Sequence, residues 1–536
     1  MVHFFPTITP RLGCPGICYE MNLVWMALLL LAAGTSDCAR ILVMQPHNAR
    51  SHSIAVEPLF EELASRGHHL TLVTSFPHKP PLPNLYEIDV SYRLRPMISN
   101  FSFEAINRLM PNSFQSPLFM SDLELYLCNN SYSEPQVQKL LDSDEKFDLV
   151  ITEIFSSDCF APLAHRFNAP LVSVVTSCSL PWVADRVGLP DNPSYIPNYL
   201  AGLPTNMDLY QRVYNTVLLV WAKLVHRYYA IPQSQNMANE VYGSSTPPIN
   251  DLIKNTSLVL VNSHISLSLS RPFPPNVVEI GGIHIRNTSN SLPKDLQDIL
   301  DKSTQGAVVV SFGSLVRMST LPEQIINKFM KAFSSVPQTV IFKYEDDLHG
   351  VPSNVVIRQW LPQQEILAHK NVRAVFGHGG LSSTIEAVYF GKPLIGLPFF
   401  ADQYLNVKGM VSLGAAVQLN MDDLSEENIR AAIKEVIYNP KYTENIRRLS
   451  RQFRDRPMSA METAVYWIEY VIRHHGALHL RPSSVSLALY QYLLLDVIAV
   501  LFLPVFLLLY FIYFLFFRAV EVSPNDHKNY KLKKNN

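Results

Sequence analysis

A short β-branched run, an amphipathic helix and a second apolar run follow one another in both halves of this chain. Few folds accept that grammar. The first copy opens with "ARILVMQP" (39–46), and Ile54, Val56, Leu59, Phe60 and Leu63 then recur at helical spacing up to Gly67, before "LTLVTS". "FDLVITEIF" (147–155) and "APLVSVVTS" (169–177) read as further strands around a helix near 161–167. The second copy begins past Gly281-Gly282. The stretch "IHIRNTSNSLPKD" (283–295), polar apart from its first residues, reads as a linker, and "GAVVVSFGS" (306–314) as a continuous apolar strand. A helix (322–333), "TVIFKY", "NVVIRQW", a helix near 364–368, "VRAVFG", another helix and "KPLIGLPF" complete the alternation. This predicts two doubly wound α/β domains facing a cleft, with ligands at the C-terminal ends of the strands.

Both ends carry membrane signals. Val497 to Phe517 is uncharged and about 20 residues long, the span of a bilayer's hydrocarbon core. Arg518 and the lysines of "KLKKNN" follow it, which puts the tail in the cytosol. Met21 to Ala39 has the short apolar core of a signal peptide behind a leader, Met1 to Glu20. Translation from Met21 accounts for the leader; an uncleaved anchor is the alternative. The expected order is therefore a leader and signal peptide (1–39), two domains (40–285 and 286–482), one span (497–517) and a basic tail (518–536), in type I topology. Sequons at Asn100, Asn129, Asn255 and Asn287 fit a lumenal compartment. Lys533-Lys534 fits endoplasmic-reticulum retrieval, although a plain stop-transfer flank looks similar. A net charge of −1 provides no field for nucleic acid. The six cysteines, Cys14, Cys18, Cys38, Cys128, Cys159 and Cys178, lack the spacing of a zinc site. One disulfide with a free thiol is compatible with them, and the pairing is left open.

Chemistry concentrates in "FGHGGLSSTIEAVYFGKPLIGLPFFADQ" (376–403). A strand ends at His378-Gly379-Gly380, and a helix then presents free N–H groups, an anion site by geometry. Ser382 and Ser383 add hydroxyls. Glu386 lies on the same helix face as Ser382 and suits a ribose diol. Asp402-Gln403 sits at a strand end, where it suits sugar hydroxyls. Trp360 and Gln363 of "WLPQQEIL" sit at another, where an indole can stack on a base. Together these groups describe a nucleotide-sugar site. A βαβ unit with ordinary turn residues would share the composition.

The run Trp360, Pro362, Gln363, His378, Gly379, Gly380, Ser383, Glu386, Ala387, Gly391, Pro393, Pro398, Asp402, Gln403 resembles the signature of the UDP-glycosyltransferases, in the membrane-bound branch that includes the glucuronosyltransferases. The likeness extends to "SFGS" (Ser311, Gly313 and Ser314 among the site candidates), "NVVEIGGIHI", "AVYWIEYVIRHHGA" and "LDVIAV", and the first half resembles insect-type members. It implies the GT-B fold and inverting transfer from a UDP-sugar to the hydroxyl of a small lipophilic acceptor. Glucose is favoured over glucuronate as the sugar. The implied base is His52, with His47 as its rival. The supporting acid is Glu153 where the family often has aspartate, or else Asp158 nearby. Gly377 stands where a hydroxyl residue is common, and Lys343 where an arginine is. No cofactor or metal is implied, and an oligomer is left open. Two other readings remain: a lumenal binding protein on a degenerate scaffold, and a transferase acting on a membrane lipid.

Overall fold

The computed structural model describes residues 38–522, apart from 111, 156–157, 269 and 287–291. The leader, most of the signal segment, Cys14, Cys18, Asn287 and the basic tail lie outside the described residues.

The first sheet holds β1 (Arg40–Gln45), β2 (His69–Thr74), β3 (Leu85–Asp89), β4 (Leu149–Glu153), β5 (Leu171–Val175), β6 (Thr256–Val261) and β7 (Val277–Glu279), in the order β3-β2-β1-β4-β5-β6-β7. The second holds β8 (Ala307–Ser311), β9 (Thr339–Lys343), β10 (Val355–Arg358), β11 (Val372–Gly377), β12 (Leu394–Gly396) and β13 (Ala416–Gln418), in the order β10-β9-β8-β11-β12-β13. All pairings are parallel. Helices cover both faces of such sheets, so the inner strands are apolar on both sides: β4, β5, β6 and β8 are buried throughout. In each sheet the order reverses beside the first strand, between β1 and β4 and between β8 and β11. Crevices open at these points.

The helices that matter for the site are α1 (Arg50–Ser65), α2 (Ser116–Tyr132), α3 (Leu209–Val225), α4 (Ile231–Tyr242), α5 (Gln363–Ala368), α6 (Leu381–Tyr389), α7 (Gln403–Ser412), α8 (Ala460–Arg473) and α9 (Leu495–Val522). Asp208 and Gln211 form a capping box on α3, and Ser459 and Glu462 form one on α8.

Two segments cross between the domains, and the linear boundaries do not foresee either. Helix α8 follows the second sheet in sequence, but its Ala464, Val465, Ile468 and Val471 pack with Ile41, Leu59 and Leu63 of the first domain. In the other direction, Ile106 of the first domain joins the core of the second, flanked by Phe101 and Phe103. The backbone N–H groups of Ser99 and Phe101 donate to the carbonyls of Ser314 and Leu315 at 2.7 and 3.2 Å. The linker is buried where it begins, at the residues that open it before its polar part. Ile283 and His284 are buried, because Ile283 fills the same core as α8.

Cys128 of α2 is bonded to Cys159, Cys178 is a buried free thiol, and Cys38 is exposed. Asn100, Asn129 and Asn255 are exposed. Within α9, Leu495–Arg518 is long and apolar enough to cross a membrane, with mean hydropathy 2.7 and no burial.

Candidate active site

A cleft of about 440 Å³ lies between the two switch points. On the first-domain side, the loop after β1 carries His47 and the start of α1 carries His52. Glu153 is the last residue of β4, and Thr176 follows β5. The adjacency of β1, β4 and β5 brings these groups together. His52 Nδ1 is 2.5 Å from Glu153 Oε1, and Thr176 Oγ1 donates to the same oxygen at 2.7 Å. Gln45 Nε2 reaches the other carboxylate oxygen at 3.4 Å. Burial opposes ionisation of Glu153, yet the imidazoles of His52 and His47 and the Thr176 hydroxyl hold its pKa down at about 2. With its Nδ1–H given to this carboxylate, His52 keeps the Nε2 lone pair for a proton from the cleft.

His47 stacks on His52, but its own Nδ1 accepts the Ala49 N–H at 3.1 Å. Burial, and then the neighbouring His52, push its pKa down to about 3.

Asp158, the second candidate acid, is placed elsewhere. It opens a 3-10 turn past the strand end, where one oxygen takes Arg186 at 2.6 Å and the other His226 at 2.5 Å. Burial opposes its ionisation, but Arg186 and His226 hold it well below the usual carboxylate range. It is an anchor for the helices around the cleft rather than a partner of His52.

The second-domain side is built around His378, where β11 ends. Its ring sits between two glycines: a Cβ on Gly313 would lie 2.7 Å from Cε1, and one on Gly380 would lie 2.6 Å from Nε2. Gly313 also has φ +83°, a backbone that favours glycine. Burial, and then the Lys343 ammonium, lower the His378 pKa to about 4, so the ring is a neutral donor at pH 7. Its Nδ1 is buried without a partner. Gly380 precedes α6 with no side-chain cap, and Ser382 and Ser383 in the first turn line the cleft. Gly377 has a local reason: a Cβ there would stand 2.5 Å from the Ser311 carbonyl of the adjacent strand. Gly379 is likewise closed in, by Val407 of α7.

Glu386 is held by two amides. Gln363 Nε2 donates to it at 2.6 Å and Gln364 Nε2 at 3.0 Å, while Gln363 also donates to Ser383 at 2.9 Å. Trp360 stands at the rim of the cleft, half exposed. Lys343 Nζ lies 5.8 Å over its ring and donates to Ser99 at 2.8 Å and Glu345 at 3.1 Å. At the base of the cleft, Gln403 Oε1 accepts the N–H groups of Phe399 and Phe400, leaving its amide nitrogen for a ligand. Asp402 takes Asn406 at 2.9 Å, and burial raises its pKa to about 6.

The cleft therefore offers a base held by an acid, a neutral imidazole in a glycine turn, a helix N-terminus, an anchored carboxylate and an open indole. The pattern that defines the UDP-glucoronosyl and UDP-glucosyl transferase family matches residues 39–523. The chain belongs to this family.

UDP-glucosyltransferase 2 of Dactylopius coccus is 40% identical over 517 residues, covering 96% of this chain and 100% of that protein. UDP-glucuronosyltransferase 2A3 of Cavia porcellus is 31% identical, covering 89% and 92%. The crystal structure of CalG4, the calicheamicin glycosyltransferase, aligns with TM-score 0.53 at 19% identity, over 81% of this chain and 99% of that one, which supports the shared GT-B architecture. The protein is thus a UDP-glycosyltransferase with two parallel sheets facing a cleft. Sequence reasoning missed several groups that this transferase places around its site. Thr176 and Gln364 bond the carboxylates of Glu153 and Glu386, and buried His284 lies 3.5 Å from Glu386. Gln364 was legible beside Gln363 in "WLPQQEIL"; Thr176 needs the order of β4 and β5.

Proposed function

We propose that the enzyme transfers a hexose, favouring glucose, from its UDP-sugar to a hydroxyl of a small lipophilic acceptor with inversion at the anomeric carbon. The 2.5 Å pairing of His52 with Glu153 inside the cleft carries this reading. His52 Nε2 takes the acceptor proton as the hydroxyl attacks, and Glu153 orients the ring and balances the imidazolium. The departing diphosphate is met by His378 and by the N–H groups opening α6, with Ser311, Gly313, Ser314, Ser382 and Ser383 shaping the turn. The base stacks on Trp360, the ribose hydroxyls reach Glu386, and the sugar hydroxyls meet Asp402 and Gln403. These groups supply the positive field without a metal in the scheme.

The acceptor side favours lipophilic molecules: Ile54, Met97, Phe101, Phe119, Met120 and Phe155 line it. Among the described residues lining the cleft, Lys343 is the one lysine or arginine. It is tied to Ser99 and Glu345 over the Trp360 ring, away from a role with a uronic carboxylate, which supports glucose. The Cys128–Cys159 disulfide, the exposed sequons and the apolar α9 support a lumenal enzyme of the endoplasmic-reticulum membrane with a single span.

The test is transfer to a simple phenol by microsomes carrying the wild-type chain or His52→Ala, with UDP-glucose and UDP-glucuronate offered separately. Product from UDP-glucose that disappears in the variant is expected. Equal turnover in the variant would remove His52 as the base.

A further inference from the structure

Helix α3 turns an apolar face outward. With 3.6 residues per turn, Tyr210, Val213, Val217, Val220, Trp221 and Leu224 fall within a stripe about 120° wide, and all six are exposed. Tyr228 prolongs the face and is 70% exposed. The opposite face, with Asn215, Leu218, Ala222 and Val225, is the one packed into the domain. Between Asp208 and Glu240 the chain has no acidic residue, and Arg212 and Arg227 flank the stripe, while Lys223 is paired with Asp185 and Asp191. An apolar stripe with tyrosine and tryptophan among basic flanks is the pattern of a helix lying in a bilayer interface.

Its position fits that occupant. The short helix Val183–Val187 connects α3 to the chain entering α9. Asp185 of that helix takes Lys223 of α3 at 2.6 Å. The glycine that caps it, Gly188, is pressed by Ser484 and Pro482, and α9 begins eleven residues after Ser484. The approach to α9 exposes Leu489, Tyr490 and Tyr492, more interfacial residues. We propose that α3 lies on the same bilayer that α9 crosses, with its Tyr210–Leu224 stripe seated among the lipid headgroups and upper acyl chains. This rests on the reading of α9 as a membrane span. It also links lipid to substrate. Trp221 Nε1 donates to the Phe114 carbonyl at 2.8 Å, and Phe114 leads into α2, whose Phe119, Met120 and Leu123 wall the acceptor side of the cleft.

The test uses the full chain in phosphatidylcholine nanodiscs, in a Cys38→Ser background. An environment-sensitive fluorophore is attached at Val217→Cys, Leu507→Cys or Lys434→Cys, and quenching by doxyl-labelled lipid is read. Val213→Cys serves as a second stripe position should Val217→Cys fail to fold. Lipid quencher is expected to roughly halve emission at the stripe and at Leu507, and to leave Lys434 unchanged. Quenching at Leu507 with none at the stripe would overturn the seat of α3 and keep the span. Quenching at the stripe with none at Leu507 would keep the seat and remove the span. Emission from the stripe that is blue-shifted, unquenched and accompanied by cross-linking between copies would make it a protein–protein face and overturn the proposal.

Discussion

The imidazole of His47 lies flat on that of His52, centroids 3.7 Å apart and planes 2° from parallel. Two histidines five residues apart compete for one role in the sequence, and the stack separates them. His47 accepts a backbone N–H and is held at a pKa of about 3 by burial and by His52, so it stays neutral beside the proposed base. His52→Ala is expected to cut kcat by about 10²–10⁴-fold, the usual worth of a general base. His47→Phe, which keeps a flat ring under His52, is expected to cost no more than about tenfold on the same scale. Steady-state kinetics on one acceptor decides it; the reverse ranking would make His47 the base.

Glu153, which ends β4, and Asp158, just beyond it, are both buried acids, yet they answer to different partners. Glu153→Gln removes the charge facing His52, and kcat is expected to fall about 10²–10³-fold with the fold retained. Glu153 is held below its ordinary value, at about 2, so its contribution to stability is full above pH 4.5 and is lost as the pH falls toward 2. The melting temperature of the wild type should therefore fall toward that of Glu153→Gln over this window. Asp158→Asn leaves Arg186 buried and unpaired, and is expected to destabilise by about 3–5 kcal/mol while the folded enzyme keeps its kcat. A kcat loss in Asp158→Asn as large as in Glu153→Gln would return Asp158 to the active site.

The alternation of strands and helices was legible because parallel strands buried on both faces, such as β8, read as short apolar runs. The donor site was legible for a related reason. His378, Glu386, Asp402 and Gln403 lie within one short βαβ stretch, so spacing along the chain stands in for spacing in the fold. The acceptor side draws on β1, β4, β5 and α2, which are distant in sequence, and the choice between Glu153 and Asp158 needed the turn geometry. Helix α8 shows the same limit. Its apolar face was plain, but nothing in Ala464, Val465 or Ile468 tells which domain they pack on.

Asp402 lines the cleft at a cost to the fold. Burial raises its pKa to about 6 against an ordinary 3.8. A carboxyl with a raised folded pKa contributes stability below pH 3.8, and that contribution is lost as the pH rises through 6. At pH 7.5 the ionised group therefore weakens the fold. Asp402→Asn is expected to melt higher than wild type at pH 7.5, with the advantage gone at pH 3.5. The same variant should lose transfer while still binding UDP, because the contact proposed for Asp402 is to the sugar. Thermal scans at the two pH values and UDP titration check both halves; loss of UDP binding would move Asp402 away from the sugar end.

His378 depends on the two glycines that flank its ring. A methyl on either side must displace the imidazole, as the 2.7 Å approach from Gly313 and the 2.6 Å approach from Gly380 require. Gly313→Ala adds strain at φ +83°, whereas Gly380 has an ordinary backbone, so Gly380→Ala is the cleaner probe. KM for the UDP-sugar is expected to rise about tenfold or more, the worth of roughly one charge-assisted hydrogen bond, with KM for the acceptor unchanged. Because burial and Lys343 keep His378 neutral down to about pH 4, UDP affinity should stay flat from pH 5.5 to 8 as far as this ring is concerned. Isothermal titration with UDP across that range, for wild type and Gly380→Ala, reads both effects. A steep gain in affinity below pH 7 in the wild type would mean that the diphosphate recruits a protonated histidine instead of the neutral donor.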